Sequence, residues 1–258
     1  AKRYWEYLEK RARRIPLQHI TGSQEFMGYE FLVNEHVLIP RQDTETLVEE
    51  VIRYINRKEN IVKVLDMCTG SGCIGISIDK LCDNAQVEAV DISREALCVA
   101  KKNNRKLNAN VSFIYIQRYD CLRTFASTSE DQNSIVDIVS FMCETRINID
   151  GRYDVIVSNP PYIETAEVEK LMSEVREHEP LIALDGTEDG LKFYKIICDN
   201  LQKHLSEDGV VFLEIGHNQG KTVPEILRQS GFYNINVIKD LSGNDRVIVA
   251  HRKKQKET

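Results

Sequence analysis

The stretch VLDMCTGSGCIG, residues 64–75, decides the predicted fold, because an apolar strand runs into a glycine-rich turn and then into a helix. Gly70 and Gly72 lack a Cβ, so the backbone can turn sharply and approach a ligand closely. The helix that follows would direct its free N–H groups and the positive end of its dipole at that ligand. The next predicted strand ends at Asp91, where a carboxylate can accept both hydroxyls of a ribose. The spacing Gly70-x-Gly72-x-x-Gly75 with Asp91 fits a site for NAD, FAD or S-adenosylmethionine, and it also fits a ligand-free turn.

Asp66, at the end of the first strand, narrows this choice of ligands. In a dinucleotide site its carboxylate would lie near the pyrophosphate and repel it. A cofactor with a sulfonium and an amino group tolerates a carboxylate there, which favours S-adenosylmethionine. Asp120 follows the third strand and has two interpretations, an acceptor for an adenine amino group or a solvated loop residue.

Strands and helices alternate from residue 61 onward. The strands are apolar throughout, which is typical of a parallel sheet covered by helices on both faces. We therefore expect an α/β fold with a doubly wound, mostly parallel, seven-stranded Rossmann-like sheet and a ligand at the carboxyl ends of its strands. Ser93 is the expected N-cap of the second helix. The strands are predicted in IVKVLD, AQVEAVD, NVSFIYIQ, YDVIVSN, GVVFLEIG, YNINVIKD and RVIVAHR, and the helices in GCIGISIDKLC, SREALCVAKKNNRKLN, EDGLKFYKIICDNLQKHLS and TVPEILRQSG.

Three elements precede this region. AKRYWEYLEKRARR is predicted to be a helix that begins without a cap, which suggests the end of a longer element. Leu17 to Ile39 alternates aromatic and β-branched residues around glycines and predicts a hairpin. PRQDTETLVEEVIRYIN predicts a helix with Asp43 or Thr44 as its cap.

Composition excludes several classes of protein. The chain has 258 residues, 42% hydrophobic and 29% charged, and a net charge of -6, which argues against a nucleic-acid binder held mainly by phosphate contacts. No apolar run reaches the roughly 18 residues of a membrane span, and no signal-peptide pattern occurs. The seven cysteines contain no CxxC, and the six histidines show no metal-ligand spacing. We expect a cytoplasmic protein with reduced cysteines and no metal site.

The segment SNPPY, residues 158–162, follows the fourth strand and so faces the same edge of the sheet as the glycine turn. Asn159 offers an amide oxygen, and the two prolines fix the backbone so that a carbonyl is held beside it. Two such acceptors suit a planar –NH2 group, and Tyr162 can stack on the group that carries it. A proline-rigid turn with a merely structural Asn is the alternative.

These motifs resemble those of the peptide-chain release factor glutamine methyltransferases, the HemK/PrmC family. The resemblance runs from about Arg14 to Arg252 and rests on the following segments: RIPLQHITGSQEFMGYEFLVNEHVLIPRQDTETLVEEV, VLDMCTGSGCIGISI, AVDISREALCVAKKN, DVIVSNPPYIE, EPLIALDGTEDGLKFYKII, LEIGHNQG and DRVIVAHR. Members use S-adenosylmethionine to methylate the glutamine of the Gly-Gly-Gln tripeptide in release factors. The resemblance therefore implies a protein substrate, and neither a membrane nor a nucleic-acid substrate is expected.

The resemblance also implies roles for particular residues. Cofactor contacts are expected from Asp66, Cys68, Thr69, Gly70, Ser71, Gly72, Asp91, Asp120, Cys121 and Asn159. For the glutamine amide, Asn159 and the Pro160 carbonyl would accept hydrogen bonds, Pro161 would stiffen the loop and Tyr162 would pack on the amide plane. Ile39-Pro40-Arg41 would lie over the cofactor. Phe26 is either a pocket wall or a core aromatic of the hairpin, and Glu214 either supports the site or is a structural buried acid.

The family pattern predicts a domain organisation, and this sequence departs from that pattern in an insertion at 121–152 and in Cys68. Residues 1–15 would end an N-terminal helical domain that is mostly missing, 16–40 would form a β-hairpin connector, and 41–258 the methyltransferase domain with an insertion at 121–152. Cys68 stands where the family usually has Gly, and a Cβ there disfavours a positive φ.

Two other functions stay open at this point. An adenine amino methyltransferase acting on nucleic acid would share the Asn-Pro-Pro-Tyr chemistry but needs a basic groove. A non-catalytic nucleotide-binding adaptor is the third hypothesis, and Cys68 is the feature that suggests it.

Overall fold

The structure, a computed structural model, describes residues 2–116 and 152–252. Elements are numbered in chain order over these residues. The helices are α1 Lys2–Ala12, α2 Leu17–Thr21, α3 Asp43–Ile55, α4 Cys73–Leu81, α5 Arg94–Lys106, α6 Thr165–Val168, α7 Ser173–Arg176, α8 Lys192–His204 and α9 Thr222–Gln229. The strands are β1 Ser23–Phe26, β2 Tyr29–Leu32, β3 Val62–Met67, β4 Ala85–Asp91, β5 Ser112–Tyr115, β6 Tyr153–Ser158, β7 Leu205–Glu214, β8 Phe232–Lys239 and β9 Asp245–Arg252.

Seven strands form one sheet in the order β5-β4-β3-β6-β7-β9-β8. The pairs among β5, β4, β3, β6 and β7 are parallel, and β9 runs antiparallel to both β7 and β8. The strand order reverses between β3 and β6, the two strands whose carboxyl ends carry the glycine turn and the Asn-Pro-Pro-Tyr segment. The predicted mostly parallel, doubly wound seven-stranded sheet is confirmed.

Helices bury both faces of this sheet, as its apolar strands require. On one face, Leu47, Val51 and Ile55 of α3 pack with Ile74 and Ile78 of α4 over the sheet. On the other face, the helices α8 and α9 contribute Ile197, Leu201, Val223 and Leu227. The central strands β3 and β6 are therefore held from both sides, which fixes the edge where their loops emerge.

The predicted hairpin over Leu17 to Ile39 is only partly correct. Leu17–Thr21 forms a helical turn that ends at Gly22 with φ +83°, and the hairpin is confined to β1 and β2. Its two-residue turn uses Met27 and Gly28, both at positive φ. Phe26 is 1% exposed and packs edge-on against Phe31 with ring centroids 6.1 Å apart, so it is a core aromatic of the hairpin.

The predicted caps had different outcomes. The Ser93 hydroxyl accepts from the Ala96 N–H at 3.0 Å and caps α5, as expected. Helix α3 instead has Gln42 at its N-cap position without a side-chain bond, so neither Asp43 nor Thr44 caps it. Both side chains point into tertiary contacts, which are described below.

The predicted insertion at 121–152 lies outside the described residues, except for Arg152. None of the helices in residues 2–116 and 152–252 is both long enough and apolar enough to cross a membrane.

Candidate active site

A cleft opens at the carboxyl ends of β3, β4 and β6, where the sequence predicts the ligand. It holds about 970 Å³ of space, counted out to its mouth. Its polar lining is Arg41, Thr44, Thr69, Ser71, Asp91 and Asn159, and its apolar lining includes Leu38, Met67, Ile74, Val90, Ile92, Ile116 and Phe193.

The glycine turn forms one wall of the cleft. The Thr69 N–H donates to the Val90 carbonyl at 3.1 Å, and the Gly72 N–H donates to the Thr69 carbonyl at 2.8 Å. Gly72 has φ +82°, and a Cβ there would lie 2.9 Å from Ile76 Cδ1. Glycine is favoured at this position, because the left-handed conformation strains other residues and a Cβ would force Ile76 to shift. Cys68, Thr69, Gly70 and Ser71 all line the cleft.

Cys68 adopts a left-handed conformation with φ +59°. This conformation costs a residue with a Cβ roughly 1–2 kcal/mol. Burial and the nearby Asp91 raise the pKa of the Cys68 thiol to about 12. The thiol is therefore protonated at neutral pH and brings no charge to the cleft.

Asp91 lines the cleft at the end of β4 and also holds the turn in place. Its two carboxylate oxygens accept from the N–H groups of Gly70 at 2.8 Å and Ser93 at 2.9 Å. Burial raises the pKa of Asp91, and the N–H groups of Ser93, Gly70 and Ile92 oppose this effect. Each oxygen retains a lone pair, so the carboxylate can still accept from ribose hydroxyls.

Asp66 lies beneath the glycine turn and is fully buried. Its Oδ2 accepts from the Thr69 hydroxyl at 2.5 Å and from the Gly75 N–H at 3.0 Å. Burial raises the pKa of Asp66 to about 7. The structure thus places Asp66 behind the wall of the cleft, where it supports the turn, and not among the residues that line the cleft.

The segment Ile39-Pro40-Arg41 runs along the cleft, and its residues Pro40 and Arg41 line it, which leaves the predicted placement over the cofactor as a prediction. The buried Glu179 carboxylate anchors this segment. It accepts from the Arg41 guanidinium at 2.5 Å and from the Ile39 N–H at 3.2 Å. Glu179 was not among the predicted site residues, although an acid next to Pro180 and before the apolar residues 181–184 was a visible signal.

Asn159 to Tyr162, called the NPPY loop, forms the opposite wall. Asn159 and Pro161 line the cleft, and Pro160 and Tyr162 belong to the same loop without being among the lining residues. Asn159 Nδ2 donates to the Thr44 hydroxyl at 3.4 Å, an orientation that leaves Oδ1 to accept hydrogen bonds. The Tyr162 hydroxyl donates to Glu214 Oε1 at 3.2 Å, which fixes the ring from its far end.

Glu214, at the end of β7, supports the NPPY loop from below. It is 1% exposed, and its Oε2 has no hydrogen-bond partner among the described residues. Burial raises the pKa of Glu214 to about 7, against the opposing effects of the Thr44 hydroxyl and the Arg246 guanidinium. Arg246 in turn binds Asp240 at 3.1 Å and Asp43 at 3.2 Å. The structure therefore brings Glu214 into contact with the predicted site, as one of its two interpretations required.

The predicted contacts of Asp120 and Cys121 lie outside the described residues. The other predicted site residues all converge on the cleft or its supporting layer.

The cleft fits S-adenosylmethionine in its chemistry. Asp91 and Asn159 supply acceptors, Gly70 leaves the backbone of the turn uncovered on the cleft side with open space where a Cβ would be, and apolar side chains can cover a purine. Fold and cleft together define a doubly wound methyltransferase that uses S-adenosylmethionine.

Comparison with known proteins identifies the family. The chain is 40% identical over 251 residues to the release factor glutamine methyltransferase of Clostridium acetobutylicum, which covers 97% of this chain and 80% of that protein. The enzyme of the same name from Geobacter sulfurreducens is 38% identical over 93% of this chain and 74% of its own length. A methyltransferase structure from Pyrococcus furiosus has the same fold, with a TM-score of 0.57 at 17% identity over 95% of this chain and 99% of that one.

The family of the Crassvirus muzzle protein also matches, over residues 44–211. That match disagrees with the methyltransferase relatives, and the relatives decide, because their identity extends over nearly the whole chain and includes both flanks of the matched segment. The chain belongs to the release factor glutamine methyltransferase family.

Proposed function

We propose that this chain transfers a methyl group from S-adenosylmethionine to the side-chain amide nitrogen of the glutamine in the Gly-Gly-Gln motif of peptide-chain release factors, and so modulates translation termination. The observation that supports this most directly is the NPPY loop, which forms one wall of the cleft while the glycine turn forms another. Membership of the family of release factor glutamine methyltransferases supports the choice of substrate.

The proposed recognition of the amide depends on acceptors. Asn159 donates through Nδ2 to Thr44, so its Oδ1 is oriented to accept one N–H of a substrate amide. The carbonyl of Pro160 is the proposed acceptor for the second N–H. Because both acceptors lie in the amide plane, the nitrogen lone pair would point out of that plane, toward the cofactor.

The proposed rate enhancement comes from positioning and fixed dipoles. Bound S-adenosylmethionine supplies an electrophilic methyl group on a sulfonium. Asp91 and the glycine turn would orient the cofactor, and Thr69 and Ser71 would contact it on the same wall. The amide nitrogen loses a proton only after it has become cationic, so this proton can pass to water and no strong base is required.

Tyr162 has a supporting place in this proposal. Its hydroxyl is held by Glu214 and burial raises its pKa, so the phenol stays neutral and cannot serve as a base at physiological pH. The ring is therefore proposed to act by its shape, as a rigid surface that packs on the plane of the glutamine amide.

A methyl-transfer assay with labelled S-adenosylmethionine tests the proposal. The chain is incubated in parallel with a release factor, with its Gly-Gly-Gln→Gly-Gly-Ala variant and with duplex DNA. Label on the unmodified release factor alone is the expected result. Label on DNA would support an adenine methyltransferase instead, and binding of the cofactor with no transfer to any of the three would support the adaptor.

A further inference from the structure

Gln219, in the turn between β7 and α9, makes a full set of hydrogen bonds although it is only 5% exposed. Its Oε1 accepts from the Gly216 N–H at 2.9 Å and from the Tyr194 hydroxyl at 3.3 Å. Its Nε2 donates to the backbone carbonyls of Tyr162 and Gly190, each at 3.1 Å. A carboxylate in this place could not donate to either carbonyl, so the position requires an amide.

Gly186 and Gly190 allow a neighbouring loop to pack closely against Tyr162, whose carbonyl also bonds Gln219. A Cβ on Gly190, which has φ +64°, would collide with the Tyr162 carbonyl oxygen, and one on Gly186 would lie 2.7 Å from Tyr162 Cα. Real side chains do not tolerate such approaches, so the loop reaches Tyr162 only because both residues are glycine. Gln219, Gly186 and Gly190 are called the Tyr162 clamp.

The clamp continues into the residue after Tyr162. The Ile163 N–H donates to the Leu184 carbonyl at 3.1 Å, and the Ile163 carbonyl accepts from the Gly186 N–H at 2.7 Å. The backbone that leaves the NPPY loop is thus held by Gln219 on one side and by residues 184–190 on the other. None of the three clamp residues lines the cleft.

We infer that Gln219 and Gly190 are positioning residues for methyl transfer, which act by fixing Tyr162 and with it the stiff proline segment that carries Asn159. This inference rests on the function proposed above. Because the prolines have fixed φ, a displacement at Tyr162 is passed to Asn159 instead of being absorbed in the loop. Misplacement of a substrate acceptor by about 1 Å can lower a rate by about 100-fold. Among the described residues no hydrogen bond joins the clamp to the glycine turn or to Asp91, so the cofactor contacts of that wall should persist and cofactor binding should change little.

The test uses Gly190→Ala and Gln219→Glu, with Gly243→Ala as the matched control. Gly243 also has a positive φ, +83°, but a Cβ there meets nothing within 4 Å. The control therefore carries the strain of the left-handed conformation without the collision. Gln219→Glu places a carboxylate next to two carbonyl oxygens. If this variant does not fold, Gly190→Ala still tests the clamp, because it keeps every hydrogen-bonding group.

Each variant is measured for S-adenosylmethionine Kd and binding stoichiometry by calorimetry, and for kcat and KM with a release factor. Dividing kcat by the fraction of chains that bind cofactor removes the effect of partial unfolding, which a purely structural role would produce. We expect this corrected kcat to fall about 10- to 100-fold in both clamp variants while the Kd for the cofactor changes less than twofold. Gly243→Ala should match the wild type.

Two results would overturn the inference. One is a corrected kcat for folded Gly190→Ala within twofold of Gly243→Ala. The other is a loss of cofactor affinity as large as the loss of kcat. A wild-type chain that binds the cofactor but labels no release factor would overturn the proposed function itself, and that result is visible before any variant is made.

Discussion

Replacing Glu214 with Gln should remove a pH dependence of stability that the buried carboxyl imposes on the fold. Glutamine has the same shape and keeps Oε1 as the acceptor for the Tyr162 hydroxyl at 3.2 Å. The pKa of Glu214 is about 7, above its ordinary value of 4.5, because burial disfavours the charged form. The folded chain thus holds this proton more tightly than the unfolded chain. The stability that protonated Glu214 contributes to the fold is fully present below about pH 4.5 and is lost as the pH rises to about 7.

The size of this effect follows from the two pKa values. At about 1.4 kcal/mol for each pH unit, the contribution that is lost amounts to about 3 kcal/mol. We expect the free energy of unfolding of Glu214→Gln minus that of the wild type to be larger by about 2.5 kcal/mol at pH 8 than at pH 5, because only the wild type loses stability over this range. Urea titrations at both pH values measure it, and the comparison cancels titrations common to both proteins.

Glu225→Gln is the matched control, because Glu225 lies on the exposed face of α9, where it pairs with Arg228 and accepts from Gln229. The free energy of unfolding of Glu225→Gln minus that of the wild type should change by less than about 0.5 kcal/mol between the two pH values. If Glu214→Gln behaves like this control, then Glu214 ionises normally in the folded chain, and the argument from its burial is wrong.

Three further outcomes are expected, two at the cleft and one in the packing beneath it. Asn159→Ala should lower kcat for methyl transfer at least about 100-fold while the cofactor Kd from calorimetry stays within about threefold; comparable losses in both would remove the role assigned to its Oδ1. Asp91→Ala should weaken cofactor binding by roughly 1–3 kcal/mol, about 5- to 150-fold in Kd, because ribose hydroxyls lose their acceptor; unchanged binding would refute that contact. Asn103→Leu should destabilise the chain by about 2–4 kcal/mol in urea titrations, since the buried amide bonds Ser71 and both backbone groups of Leu32; a loss below about 0.5 kcal/mol would show that these bonds are replaceable.

The sheet was predictable from sequence because its central strands β3, β6 and β7 are largely buried and apolar on both faces and end in polar loops. The glycine turn and Asp91 were predictable because their spacing along the chain, about twenty residues, is set by one strand–helix–strand unit. The position of the glycine turn and the NPPY loop around one cleft also followed, since carboxyl ends of neighbouring parallel strands share one edge.

The α3 cap was mispredicted for a physical reason that lies in the site. Thr44 and Asp43 are good cap residues by propensity, but the Thr44 hydroxyl accepts from Asn159 and the Asp43 carboxylate pairs with Arg246. Those tertiary contacts involve residues more than a hundred positions away, so local reasoning could not find them. The same limit hid Gln219, whose partners Tyr162, Gly190 and Tyr194 are contributed by distant segments.

Cys68 is the residue on which the adaptor hypothesis depended, and its environment weakens that hypothesis. The left-handed conformation is held by its neighbours, because the Thr69 N–H bonds to Val90 and the Gly70 N–H to Asp91. The strain of roughly 1–2 kcal/mol is therefore carried by the folded chain before any ligand arrives. The thiol stays neutral, with its pKa raised to about 12, so it neither repels a carboxylate nor attracts a sulfonium. A Cβ at this position alters the width of the turn but removes none of the acceptors at Asp91 and Asn159 on which binding and methyl transfer depend.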